Sequence, residues 1–199
     1  MFAALPTLLL GFSASWSTCP TYEQVSTREA RQLDTHAYAG FWYEVYSANV
    51  FLADDCHCTR YNWTLTSPTT FADTFTCHKG SASGHLFSAP NHGSFPASEP
   101  GKMVESLGPV SPPYWVLRLW GAAPSYDYSL VYACAGALGV KEEYLYLFSR
   151  KPTIPPDVLA EMHRTSPTIR SRMPKLSRCR WRGASGSLLG AHLFAFYYI

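Results

Sequence analysis

The sequence predicts an all-β protein of antiparallel strands, and three observations predict it. Runs whose side chains alternate every second residue recur along the chain, from Trp42-Tyr43-Glu44-Val45-Tyr46 to Tyr144-Leu145-Tyr146-Leu147-Phe148-Ser149-Arg150. The connections between the clearest runs are short, which suits hairpins rather than βαβ units. Aromatics make up 15% of the 199 residues and gather in those runs, as they do where side chains pack across a pleated surface. A chain of this length holds one domain with a substantial core.

Taken in order, residues 1–17 have an apolar centre, Ala3 to Phe12, followed by the small residues Ser13-Ala14-Ser15. That layout is a secretory signal cleaved after Ser15 or Ser17, and its apolar run is too short to span a bilayer. All six cysteines remain after the cut, at positions 19, 56, 58, 77, 134 and 179. An even number in an exported chain implies a disulfide framework, formed outside the cell or in another oxidising compartment. Cys56-His57-Cys58 lacks the wider spacing of a zinc site, so no metal is expected. A net charge of +2, with no basic stripe interleaved with aromatics, argues against nucleic acid as a partner.

Thr18 to Arg31 reads as an extended tail held by Cys19, and Glu29 to Tyr38 as a short helical turn leading into Gly40. Strands are expected at 42–46, 58–65 and 71–78, with short ones at 84–88 and 102–106 on either side of a Pro90 to Pro100 loop. Strong strands follow at 114–119, 126–134 and 144–150. Pro155-Pro156-Asp157 opens the one clear helix, Asp157 to Arg164, because proline and an acid both suit a first turn. Leu159, Met162 and His163 share a face of it that can pack outside a sheet. Residues 181–199 form an apolar tail to which the sequence assigns no role.

Three segments carry a resemblance. Gly40-Phe41-Trp42, Tyr126-Asp127-Tyr128 and Arg150 resemble, in order and spacing, the three motifs of the lipocalin family, with Tyr126 where that family usually has Thr. The domain spans residues 18–180. Within the family the likeness is to the apolipoprotein D group, through Pro113-Tyr114-Trp115-Val116-Leu117, Tyr128 to Cys134, Arg150-Lys151-Pro152 and the Asn62-Trp63-Thr64 glycosylation acceptor. The resemblance implies an eight-stranded antiparallel up-and-down β-barrel with one C-terminal helix outside and room for one small ligand. It implies disulfides Cys19–Cys134 and Cys58–Cys179, leaving Cys56 for Cys77. It also implies that Gly40, Trp42, Asp127 and Arg150 close one end, with the guanidinium over the indole.

Strand parity extends this to a site. With Trp42 and Arg150 inward, Glu44, Tyr46, Tyr144, Tyr146 and Phe148 are expected inward too. The family match places Trp63 inside with Tyr61 and Leu65, so Asn62 points out, as a glycan requires. Tyr128 is also expected inside. On the strand at 114–119, Tyr114, Val116 and Arg118 share one face and Trp115 and Leu117 the other, and the sequence does not say which is inward. The expected pocket is Tyr46, Trp63, Tyr128, Tyr146 and Phe148, suited to a small hydrophobic ligand such as a fatty acid, sterol, bilin or carotenoid-like molecule. Glu44 is expected to bond backbone near the closed end. No catalytic residue and no cofactor is expected; the rival is a lipocalin-fold isomerase or de-epoxidase using Glu44 or Tyr128 as acid. Val50-Phe51-Leu52 is an apolar patch suited to peripheral membrane contact.

Overall fold

A computed structural model describes residues 19–48, 55–106, 111–137, 140–165, 175–176 and 179. The signal segment, the Val50-Phe51-Leu52 patch and the 181–199 tail lie outside them. Eight strands form an up-and-down barrel: β1 (Gly40–Ala48), β2 (Cys56–Ser67), β3 (Thr70–Lys79), β4 (Leu86–Ser94), β5 (Lys102–Ser106), β6 (Pro113–Ala122), β7 (Ser125–Ala137) and β8 (Val140–Ser149). Each is antiparallel to the next, and β1 pairs with both β2 and β8, which closes the sheet. A two-residue strand β9 (Lys175–Leu176) pairs alongside β1. Three single-turn helices precede the barrel, α1 (Tyr22–Val25), α2 (Arg28–Arg31) and α3 (Thr35–Tyr38), and α4 (Pro156–Thr165) follows it.

Two local expectations are corrected. The N-terminal segment is not an extended tail: Thr27 and Asp34 cap α2 and α3 with their side chains. Fully buried Tyr22 donates its hydroxyl hydrogen to the Val116 carbonyl at 3.0 Å. The Pro90 loop is also shorter than expected, because β4 runs through Pro90 to Ser94, where Pro90 pairs with Thr74.

Apolar packing divides into two clusters, one on each side of the sheet. Outside, Val45, Leu117, Leu130 and Leu147 pack with Met162 of α4 and with Tyr22. Glu161 anchors the helix there, accepting from Trp120 Nε1 at 2.8 Å and pairing with Arg118 at 2.7 Å. Inside, Trp42, Trp63, Phe71, Phe95, Met103 and Phe148 pack with Leu33 and Tyr38 of the N-terminal segment.

The disulfides are Cys19–Cys134, Cys56–Cys77 and Cys58–Cys179, with Cα separations of 5.9, 5.4 and 4.7 Å. Both cysteines of Cys56-His57-Cys58 are thereby engaged as disulfides. Cys19–Cys134 fastens the N-terminal segment to the outer face of β7. Cys58–Cys179 ties the chain beyond α4 to β2.

Candidate ligand-binding site

One end of the barrel is sealed by a single arginine. The Arg150 guanidinium lies 3.6 Å from the centre of the Trp42 ring, close enough for stacking and cation–π attraction. Its N–H groups donate to the carbonyls of Ala37, Tyr38, Ala39, Phe41 and Tyr126 at 2.8–3.2 Å. Trp42 Nε1 donates to the Tyr38 carbonyl at 2.9 Å, so α3, β1, β7 and the end of β8 are drawn to one point. Gly40 belongs here for two reasons: its φ is +103°, and a Cβ would press on Arg150 Nη1 at 3.3 Å. Asp127 contributes its carbonyl, which accepts from the Arg150 N–H at 3.0 Å. Its carboxylate is exposed and lies beside Gly121 of the β6–β7 hairpin.

Immediately inside this seal the barrel is filled. Trp63 stacks on Phe71 with ring centres 4.8 Å apart and meets Tyr38 edge-on at 5.4 Å. Trp42, Trp63, Phe71 and Met103 are all at most 2% exposed.

Above that floor the inner face changes character. Tyr61, Tyr114, Tyr146, Phe75 and Phe148 form a ring of aromatics. Phe148 has its centre 4.9 Å from Tyr61, 6.0 Å from Tyr146 and 6.3 Å from Tyr114, and Phe75 lies 5.4 Å from Tyr61. Tyr61, Phe75, Tyr146, Asn91 and Glu105 keep partial accessibility although their side chains face into a closed barrel, so this level forms a chamber.

Three carboxyl groups share the chamber. Glu44 accepts from the Tyr61 hydroxyl at 3.3 Å and bonds the Ser47 hydroxyl. Burial pushes its pKa up to about 7, against the opposing pull of those two bonds. These partners are side chains, where a bond to backbone near the closed end was expected. On β3, Asp73 is 1% exposed; its neighbours are the Glu105 carboxyl and the Thr74 backbone, and neither carboxyl oxygen is met by a donor in good hydrogen-bond geometry among the described residues. Burial, and then the charge of Glu105, raises it above the ordinary carboxylate range. Glu105 of β5 is raised by burial too, and accepts from Asn91 Nδ2 at 3.2 Å. The Tyr61 phenol is pushed up by burial and further by Glu44, Glu105 and Asp73, so one hydroxyl feels all three acids. Trp63 Nε1, on the residue paired with Asp73, likewise has no partner among the described residues.

The expected pocket is partly regrouped. Trp63, Tyr146 and Phe148 face inward, Trp63 in the floor and the other two in the chamber. Tyr46 does not. The β1–β8 register shifts between Glu44 and Tyr46, so Tyr46 pairs with Leu147 on the outer face while Ser47 turns inward opposite Tyr146. An inserted residue reverses the parity that follows it. Tyr128 also lies outside, paired with Trp120, while Ser129 faces in and bonds the Tyr38 hydroxyl at 3.1 Å. On β6, Tyr114 and Val116 face inward, and a register shift after Val116 sends Arg118 outward to α4. Asn62, beside inward Trp63, points away from the interior.

Asp73, Asn91, Glu105 and Phe75 were missed. The signal was available for two of them. Asp73 lies between Phe71 and Phe75 at the same parity, and Glu105 shares the parity of Met103.

A lipocalin-like domain model matches residues 33–168, and the chain belongs to that family. Solved structures agree with the fold. Lobster apocrustacyanin A1 is similar at 16% identity and a TM-score of 0.57, over 74% of this chain and 81% of its own. H1 crustacyanin from Homarus americanus shares 18% identity with a TM-score of 0.58, covering 77% and 79%. Insecticyanin from the tobacco hornworm Manduca sexta shares 15% identity with a TM-score of 0.55, covering 70% and 75%. No curated protein matches the chain by sequence.

Proposed function

We propose that this protein is a secreted, apolipoprotein D-like lipocalin that binds a small hydrophobic molecule in the barrel and carries or sequesters it. The observation that carries the reading is the chamber: aromatic side chains turned into a closed barrel, above a sealed floor, that keep partial accessibility. In this reading Tyr146 and Phe148 contact the ligand and Trp63 backs it from the floor. Residues 1–17 are removed on export, 18–180 form the working domain, and Asn62 carries a glycan on the outer wall. Three disulfides suit an oxidising destination. Mass spectrometry of an organic extract of the protein, purified from its native host, tests the reading. A stoichiometric small molecule is expected; no bound molecule, and no uptake from a panel of hydrophobic ligands, would overturn it.

Peripheral membrane contact through Val50, Phe51 and Leu52 belongs to the same reading. Leu86 and Phe87, at the end of the barrel where β1 finishes and β2 begins, are 50% and 38% exposed. Vesicle binding lost in Phe51→Ser supports the contact, and unchanged binding removes it.

A second reading has one observation in its favour. Glu44, inside the chamber with a pKa of about 7, is poised to donate or accept a proton. If the barrel is an enzyme, Glu44→Gln keeps ligand affinity and loses turnover; if it is a carrier, extracts contain one compound and no isomer of it.

A further inference from the structure

We propose that the chamber selects a small organic cation, an ammonium group on a compact apolar body, over neutral lipids and over fatty-acid anions. The inference rests on the ligand-binding reading above and names the chemistry of its ligand.

Charge is the first argument. Glu44, Asp73 and Glu105 reach the chamber from β1, β3 and β5, and all three act on the single hydroxyl of Tyr61. Among the described residues no basic side chain balances them. Lys102 and Arg118 pair with Glu23 and Glu161 on the outer face, and Lys79, over the Phe87 ring at the rim, pairs with Asp55 at 2.8 Å. Arg60 has the outward parity beside inward Tyr61, and Arg150 is held by carbonyls at the sealed end. Buried acids without a counter-charge are costly when ionised, so an incoming cation gains from all three at once.

A second, independent observation is the hydrogen bonding of Asp73. It is 1% exposed, it faces the Glu105 carboxyl and the Thr74 backbone, and neither oxygen is met by a donor in good hydrogen-bond geometry among the described residues. An ammonium group offers three donors and no acceptor, which is the complement of two carboxyls that face each other. The third is the wall itself. Tyr61, Phe148, Tyr146 and Tyr114 present ring after ring within 4.9–6.3 Å of one another. The negative ring faces attract a cation and repel an anion. A fatty-acid carboxylate meets three acids and a set of ring faces here.

Three phenylalkyl probes of similar shape separate these cases: phenethylamine, propylbenzene and 3-phenylpropanoate, titrated calorimetrically into the full-length oxidised protein at neutral pH. Phenethylamine is expected to bind at least about tenfold more tightly than either of the others. In the Asp73→Asn/Glu105→Gln double variant that preference is expected to vanish while propylbenzene binding stays within about twofold. The single Glu105→Gln substitution is the isosteric fallback if the double variant does not fold, with the preference reduced. Equal or tighter binding of the neutral or anionic probe overturns the proposal, as does a cation preference that survives the substitutions. If no probe binds but other hydrophobic ligands do, this inference fails and the ligand-binding reading stands. If nothing binds, both fall.

Discussion

The two halves of the barrel interior are built from the same residue types and do opposite things. At the sealed end, Trp42, Trp63, Phe71 and Met103 fill the space, and the Arg150 guanidinium is bonded to five carbonyls. Directly above, Tyr61, Phe75 and Tyr146 keep partial accessibility beside carboxyls that no basic side chain among the described residues pairs with. The difference lies in where the polar groups find partners. Close packing and the carbonyl-bonded Arg150 make the floor a stability element. On the proposed reading, the buried acids of the chamber serve recognition at a cost in stability. Substitutions in the floor should therefore shift the unfolding midpoint, and substitutions in the chamber should shift ligand affinity and pH dependence.

The largest effect is expected at the floor. Trp42→Ala removes the indole under Arg150 and the bond to Tyr38, and should cost about 3–5 kcal/mol of unfolding free energy. Urea denaturation followed by near-ultraviolet circular dichroism measures it. A loss below about 1 kcal/mol would mean that the seal is not what holds this end.

Next comes the pH dependence of the chamber. Burial raises Glu44 from its ordinary 4.5 to about 7 in the folded state, so the folded protein holds a proton that the unfolded chain has lost. Stability from this group is therefore highest below about pH 4.5, falls as pH rises, and levels off above about pH 7. The fall should be on the order of 3 kcal/mol, and Glu44→Gln should remove that portion of it. A variant whose stability–pH curve has the wild-type slope across that window would show that Glu44 is not desolvated.

Smaller again is the strain expected at Gly93. A Cβ there would collide with the Phe71 ring and the Val104 carbonyl, neither of which can withdraw from the packed wall. Gly93→Ala should cost about 1–3 kcal/mol by overpacking and leave ligand affinity nearly unchanged. Thermal unfolding with and without a bound ligand separates the two.

The same division explains what could be read from the sequence. The sealed end was legible because its members are distinctive and few: a glycine, an indole and an arginine at family spacing. The barrel and its outer helix were legible from alternation and from the resemblance. The chamber was not, for two physical reasons. A one-residue bulge leaves no mark in alternation, so Tyr46 was carried inward with Glu44 when β1 had already reversed. No motif fixes the parity of the strand at 71–78, so Asp73 was passed over between two inward phenylalanines. Tyr128 is different, because its misplacement was avoidable. Cys134, expected to hold the N-terminal tail, must face outward, and Tyr128 shares its parity through Leu130 and Tyr132.

That parity gives the finest test, because it sets two tyrosines of the same sheet against each other. Tyr146 turns into the chamber and stacks near Phe148, with ring centres 6.0 Å apart. Tyr128 is paired with Trp120 on the outer wall, where Asp157 of the helix raises its phenol after burial and Asp127. Titration with the neutral fluorescent probe N-phenyl-1-naphthylamine compares them. Tyr146→Ala should weaken binding about tenfold, the scale of one lost large apolar contact. Tyr128→Ala should change it by less than about twofold and cost at most about 1 kcal/mol of stability, since its ring is only half-buried. Equal losses at both positions would mean that the probe binds the outer wall under the helix. The chamber would then be a packed interior with acids in it, not the place where this barrel meets its ligand.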